Sequence, residues 1–129
     1  MRFLYGVILI AHGSKESSAA DIVAAVSQKT EGLLSDAKVE YGFLSQGDVS
    51  FDEAIHKLKD NGVNEVIIMP YFLYDGPHVT RDIQRIADEL SLKHKEMSII
   101  IASPLGIDER LAEIAADRIR AIRREKNGI

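Results

Sequence analysis

Two histidines of this chain sit where imidazole could transfer a proton or ligate a metal. The first lies in Ile8-Leu9-Ile10-Ala11-His12-Gly13-Ser14, where an apolar run ends in a glycine turn. The second lies in Phe72-Leu73-Tyr74-Asp75-Gly76-Pro77-His78-Val79-Thr80-Arg81-Asp82-Ile83, where a loop leaves another apolar run and enters a helical pattern. Neutral imidazole accepts protons near pH 7 and also ligates first-row transition metals. One strand-end histidine is well explained as a cap on the next helix or a partner for backbone. Two of them on one sheet edge suggest a metal or proton-transfer site. Gly13 and Gly76 have an explanation of their own, since glycine is the usual residue for tight turns with positive φ. His56, within a helical pattern, and His94, in a lysine-rich connection, read as solvated side chains rather than ligands.

For the pair to act together, the strands that carry them must share an edge. Phe3 to Ala11 is almost continuously apolar, as expected of a central strand covered on both faces of a parallel sheet. A helix should begin near Ser17 or Ser18, with Ser18 and Asp21 as its start signal and Ile22, Val26, Lys29 and Leu33 along its packed stripe. Lys38 to Leu44 reads as a second strand with Val39, Tyr41 and Phe43 on one face. Ser50 with Glu53 can cap a second helix that buries Ala54, Ile55 and Leu58 and stops at Asn61-Gly62.

Glu65 to Met69 is the third strand, ended by Pro70, and a third helix should run from about His78 or Val79 to Leu90 with Ile83, Ile86, Ala87 and Leu90 inward. Ser98 to Ala102 is the fourth strand. The last helix, from Asp108 to about Lys126, opens on Asp108 and Glu109 and closes on Arg120, Arg123, Arg124 and Lys126, in accord with the macrodipole. Its apolar positions Leu111, Ile114, Ala115, Ile119 and Ile122 are expected to face the sheet. Strand and helix alternate throughout, which argues for an α/β layer fold: a four-stranded parallel sheet flanked by helices and joined by right-handed crossovers. Ligands of such sheets bind beyond the carboxyl ends of the strands, near the point where strand order reverses. His12, Ser45, the loop before His78 and Ser103 all fall at that edge.

Composition bounds the function. A chain of 129 residues, 46% hydrophobic, can bury one core, so a single domain is expected. Sixteen Lys and Arg against 20 Asp and Glu leave a net charge of −4, which is not the balance of a nucleic-acid binder. With no cysteine there is no disulfide framework, thiolate zinc site or cysteine-held iron-sulfur cluster. The run Val7 to Ala11 is too short to span a bilayer and lacks the flanks of a signal peptide, so no membrane association is expected and the cytoplasm is the default location.

Other chemistries fit less well. Ala11-His12-Gly13 invites comparison with histidine phosphatases, but the arginine that would clamp a phosphoryl group is replaced by Ala11. There is no phosphate loop of the G-x-x-x-x-G-K-S/T type and no G-x-G-x-x-G turn, and Ser45 sits outside any nucleophile elbow. The residues alone leave open both a metal-handling enzyme and a non-catalytic metal carrier using the same two histidines.

Taken together, the His12-Gly13-Ser14 strand end, the Pro70-x-Phe72-Leu73-x-x-Gly76-x-His78-Val79-x-x-Asp82-Ile83 segment and the four-strand α/β pattern resemble the small CbiX-type sirohydrochlorin chelatases over essentially the whole chain. The resemblance implies a single chelatase-like domain over 1–129. It also implies a class II chelatase, needing no ATP, that inserts cobalt or nickel (iron in some relatives) into sirohydrochlorin. The metal is then substrate, with no permanently bound cofactor. The short form is expected to be a homodimer whose subunits face each other across the cleft.

Residue by residue, His12 matches the family's proton acceptor and metal ligand, and His78 its second ligand. Leu73, Tyr74, Asp75, Gly76, Pro77 and His78 match the segment lining the tetrapyrrole. Many relatives carry a glutamate just after the second strand. Here the chain reads Phe43-Leu44-Ser45-Gln46, which leaves Ser45 to hydrogen-bond a substrate carboxylate. Two imidazoles make a weak, open site, as a catalyst that hands its metal on requires, unlike the closed four-ligand sites of structural metals. Lys15 and Arg81 are placed to meet the carboxylates of the substrate, and activity is expected to fall below about pH 6.5, the reference histidine value.

Overall fold

The structure, a computed structural model, describes residues 3–13, 17–44, 48–74 and 76–128. Its elements alternate without interruption: β1 (Tyr5–Ala11), α1 (Ser17–Leu34), β2 (Ala37–Phe43), α2 (Asp48–Asp60), β3 (Glu65–Pro70), α3 (Pro77–Lys93), β4 (Ser98–Ile101) and α4 (Glu109–Lys126). The strands form one parallel sheet in the order β2-β1-β3-β4. Chain order therefore reverses between β1 and β3. This is where an open α/β sheet splits its loops to opposite faces and leaves a crevice.

Side-chain alternation sorts the sheet into two faces. On one, Ile8, Ile10, Val66 and Ile68 pack with Phe51, Ala54, Ile55 and Leu58 of α2 and with Ile83, Ile86, Ala87 and Leu90 of α3. On the other, Val7, Ala37 and Val39 pack with Leu34 of α1. The result is a three-layer α/β fold. Gly6 makes the closest approach within it, because a Cβ there would come within 2.8 Å of Leu58.

Several elements differ from their sequence-based expectation. The packed side of α1 is not the Ile22–Val26–Lys29–Leu33 stripe, since Ile22 is 64% and Leu33 88% exposed. The inward positions are instead those in step with buried Ser27 and partly buried Leu34, a face that a count of large apolar residues passes over. Helix α2 begins at Asp48, so Ser50 lies inside its first turn and is not the cap. Helix α3 begins at Pro77, one or two residues before its expected start, and runs three residues past Leu90 to Lys93, so His78 stands in its first turn. Pro70 is the last residue of β3, paired with Ile10, rather than the residue beyond it.

Two differences are larger. Helix α4 has its expected cap, with Asp108 accepting from the Arg110 backbone N–H at 2.9 Å, and its basic last turn. Its apolar stripe, however, does not face the sheet: no residue of α4 is buried, and Ile114, Ile119 and Ile122 are at least half exposed. His94 is not solvated but 6% exposed, held at Nε2 by Asp52 (3.1 Å) and at Nδ1 by Lys59 (2.7 Å), with the exposed His56 ring edge-on at 5.6 Å. Lys59 in turn pairs with Glu96. No helix among the described residues is long and apolar enough to cross a membrane.

Candidate metal site at the strand-order reversal

β1 and β3 are neighbours, paired from Gly6↔Val66 to Ile10↔Pro70, so their carboxyl ends open onto the same stretch of edge. His12 follows β1 directly. The chain then turns through Gly13, whose φ of 91° lies in the left-handed region that glycine occupies without steric cost. His12 is exposed but seated: its ring lies 4.3 Å, centroid to centroid, from that of Phe72, tilted by 49°. Phe72 is itself buried in the core with the inward side of α3. The imidazole is thus backed by a fixed apolar surface on one side and open to solvent on the other.

The segment after β3 is tied down on both sides. The Tyr71 N–H donates to the Ile10 carbonyl at 2.8 Å, extending the β1 pairing by one residue. From the far side, the N–H groups of Leu105 and Gly106 donate to the carbonyls of Phe72 (2.8 Å) and Leu73 (2.7 Å). These bonds leave Leu73 and Tyr74 projecting, 61% and 80% exposed, on a backbone that is nonetheless held. Exposed apolar side chains on a fixed loop suit the face of a flat, largely apolar ring.

Gly76 caps α3 in extended geometry, with φ −72°, and Pro77 takes the first helical position. The positive-φ explanation therefore holds for Gly13 but not for Gly76, where a Cβ would meet nothing within 4 Å. No side-chain hydrogen bond caps this helix start among the described residues, so its first N–H groups and the positive end of its dipole point toward the edge. His78 is exposed in that first turn. Arg81 lies one turn on, its Nε donating to the Pro77 carbonyl (3.2 Å) and its Nη2 3.2 Å from Nδ1 of His78. A guanidinium can only donate, so Nδ1 of His78 is an acceptor here.

The structure thus gathers His12, Leu73, Tyr74, Gly76, Pro77, His78 and Arg81 at one edge. Ser45, Asp75 and Lys15 lie outside the described residues. No group of three or more His, Cys, Asp or Glu side chains that could hold a metal occurs among the described residues. Sequence reasoning missed two supports: Phe72 as the surface behind His12, and the Leu105–Gly106 turn that clamps the Leu73 loop. The first was visible as an aromatic within the second motif. The second is a backbone contact between distant segments and had no signal in residue type.

A three-layer α/β protein with two exposed imidazoles at its strand-order reversal, one seated on an aromatic ring and one beside an arginine at an uncapped helix start, has the parts of an open metal-handing site. The chain belongs to the CbiX family, whose model matches residues 6–122. It is 36% identical over 121 residues to a sirohydrochlorin cobaltochelatase of Sulfurisphaera tokodaii, covering 94% of this chain and 96% of that one. It is 32% identical over 122 residues to a sirohydrochlorin cobaltochelatase of Methanosarcina barkeri, covering 89% and 94%.

Solved structures share the fold. A cobalamin (vitamin B12) biosynthesis CbiX protein of Marinobacter aquaeolei VT8 superposes with a TM-score of 0.74 at 23% identity, over 94% of this chain and 98% of that one. The sirohydrochlorin chelatase SirB of Bacillus subtilis subspecies spizizenii, in complex with cobalt, superposes with a TM-score of 0.81 at 20% identity. That match covers 93% of this chain but 51% of SirB, so the chain spans about half of SirB's length.

Proposed function

We propose that the chain is a sirohydrochlorin metal chelatase, acting without ATP as one domain and inserting a divalent metal, cobalt or nickel, into the tetrapyrrole. Insertion exchanges two pyrrole protons for one metal ion. His12, with His78, holds the ion until the ring nitrogens take it; the lone pair this frees on His12 accepts one pyrrole proton, and the other passes to solvent. Two imidazoles bind weakly enough to let go. Leu73 and Tyr74 bear on the macrocycle, Asp75, Gly76 and Pro77 complete that wall, and Ser45 hydrogen-bonds a peripheral carboxylate. Arg81 and the uncapped start of α3 meet other carboxylates, which offsets the chain's own net charge of −4. A second subunit supplies the opposite wall, and the reaction belongs to the cytoplasm.

The observation that carries this reading is the position of His12 and His78 after adjacent parallel strands, at the one place where strand order reverses. The test follows the sirohydrochlorin absorption spectrum with cobalt, nickel and iron in turn. The intact protein should convert many equivalents with at least one metal, and His12→Ala should lose about 10²- to 10⁴-fold of that rate. Stoichiometric conversion that then stops would identify a carrier instead, and no acceleration with any metal would remove the enzyme reading.

A further inference from the structure

Asp82 belongs to the motif that carries His78, yet its exposed carboxylate has no hydrogen-bond or ion-pair partner among the described residues. It lies one turn beyond His78 on α3. Residues four apart on a helix are neighbours, with Cβ atoms about 5–6 Å apart, and side chains lean toward the helix N-terminus. A carboxylate at position 82 therefore reaches back over the turn that holds His78. The same helix makes this kind of pair twice. Gln84 donates from Nε2 to Asp88 at 2.9 Å, and Arg85 donates from Nη1 to Glu89 at 3.1 Å, each time with the donor first and the carboxylate one turn on. His78 and Asp82 have the same order and spacing, but the His78 ring is turned to Arg81. Between them Val79 and Ile83 pack into the core, so both project from a fixed stretch of helix.

The contact with Arg81 decides which end of the ring can take a metal. Nδ1 accepts from the guanidinium, so the neutral ring carries its proton on Nε2 and its lone pair on Nδ1. A metal ion that takes the place of Arg81 at Nδ1 leaves Nε2–H to be satisfied from the other side. Metal-bound imidazoles donate that second N–H to a carboxylate or a carbonyl, which fixes the tautomer and the ring plane and makes the ligand more basic. The carbonyls at the start of α3 are already engaged: that of Gly76 accepts from the N–H and the hydroxyl of Thr80, and that of Pro77 accepts from Nε of Arg81. Asp82 is the unengaged carboxylate one turn away.

We infer that Asp82 is a positioning residue for His78, accepting from Nε2–H and so presenting Nδ1 to the incoming metal ion. It acts through the imidazole and touches neither metal nor tetrapyrrole. When Arg81 leaves for a substrate carboxylate, the ring exchanges a cation beside Nδ1 for an anion beside Nε2, and both changes favour a metal on Nδ1. The inference rests on the proposed function for the role of the metal, whereas the state of the ring can be read without any turnover.

The test uses the whole chain with its histidines labelled with nitrogen-15. There are only four, and the signals of His78 are those that His78→Ala lacks. Zinc is the diamagnetic probe for which nitrogen is bound, and calorimetry with zinc and with cobalt gives the affinities. In the zinc-loaded chain His78 should bind through Nδ1 and keep its proton on Nε2. Asp82→Ala should weaken both metals by about 10- to 100-fold and leave the zinc shared between the two ring nitrogens. Asp82→Glu, which keeps a carboxylate one turn away, should recover most of the affinity and the single ligating nitrogen.

Zinc bound through Nε2 of His78 in the unsubstituted chain would overturn the proposal, as would His78 signals that neither metal moves. An Asp82→Ala affinity within twofold of the unsubstituted value, with or without a lower urea midpoint, would make Asp82 a helix residue and nothing more. A weaker affinity with the ligating nitrogen unchanged would also overturn it, because attraction between charges alone would then account for the loss. Turnover of sirohydrochlorin is measured separately. A chain in which Asp82 holds the ring but no metal is inserted would remove the chelatase reading and leave this one standing.

Discussion

Arg81 donates from Nη2 to Nδ1 of His78 across 3.2 Å. The neutral ring must then carry its proton on Nε2, so neither nitrogen is free for a metal while this bond lasts. A substrate carboxylate that drew Arg81 away would release Nδ1 and remove a positive charge from beside the imidazole we propose as a metal ligand. Arg81→Gln should therefore move two readings in opposite directions. The KM for sirohydrochlorin should rise by about threefold to tenfold, the scale of one partly exposed charge-assisted bond, while metal binding in the absence of tetrapyrrole should tighten. Calorimetry with cobalt and steady-state kinetics check the two. An unchanged KM would show that Arg81 does not meet the substrate.

Phe72 backs the His12 ring at 4.3 Å and is also part of the core. Phe72→Leu keeps most of the apolar volume and should cost under about 1.5 kcal/mol of stability, but it removes the flat surface that seats the imidazole. The expected result is a several-fold fall in kcat with a urea midpoint lowered by no more than about 1 M. A fall in stability alone would make Phe72 a core residue and nothing more.

The two motif glycines should separate by what they affect. Gly13→Ala places a Cβ at φ 91° and should cost about 1–2 kcal/mol, read as a lower urea midpoint. Gly76→Ala meets open space at an ordinary φ, so stability should stay within about 0.5 kcal/mol. Its methyl group would stand in the wall facing the macrocycle, and the KM for sirohydrochlorin should rise. Equal KM values for Gly76→Ala and the unsubstituted chain would remove Gly76 from that wall.

Asp52 anchors buried His94 from a second helix. Burial acts to raise its carboxyl, but the hydrogen bonds from His94 and Lys93 outweigh that and hold it below the ordinary 3.8. A carboxylate with a depressed folded value stabilises the fold above its unfolded value, and that contribution disappears as pH falls through the folded one. Asp52→Asn should thus cost about 1–2 kcal/mol near pH 7, where a charge-assisted bond is lost, and progressively less below about pH 4. Urea titrations of both chains at neutral and acid pH check this. A gap that stayed constant into acid would mean that packing, not charge, is what Asp52 supplies.

Much of the fold was legible because the signals were local. Alternation and apolar runs located all four strands to within two residues, and the Ile83–Ile86–Ala87–Leu90 stripe identified the buried side of α3. His12 and His78 were legible for the same reason, each standing where a local pattern stopped. What failed was non-local. The α1 stripe was assigned from its large residues, yet α1 packs with Ser27 and Leu34 inward. The stripe on α4 was read correctly as apolar, but periodicity predicts a buried face, and no residue of this helix is buried. His94 looked solvated because its neighbours in sequence are lysines, whereas its partners Asp52 and Lys59 come from α2.

The strand order has a consequence for how the molecule is made. Gly6 pairs with Val66, so the first strand cannot complete its ladder until the chain has been made past that point, and long-range pairings of this kind slow folding. A nascent chain can join β1 to β2 early, but His12 gains its aromatic seat only when the segment carrying Phe72 arrives. The Leu73 loop is clamped later still, once Leu105 and Gly106 have emerged. The edge that carries His12 and His78 is therefore completed only after most of the chain has been made.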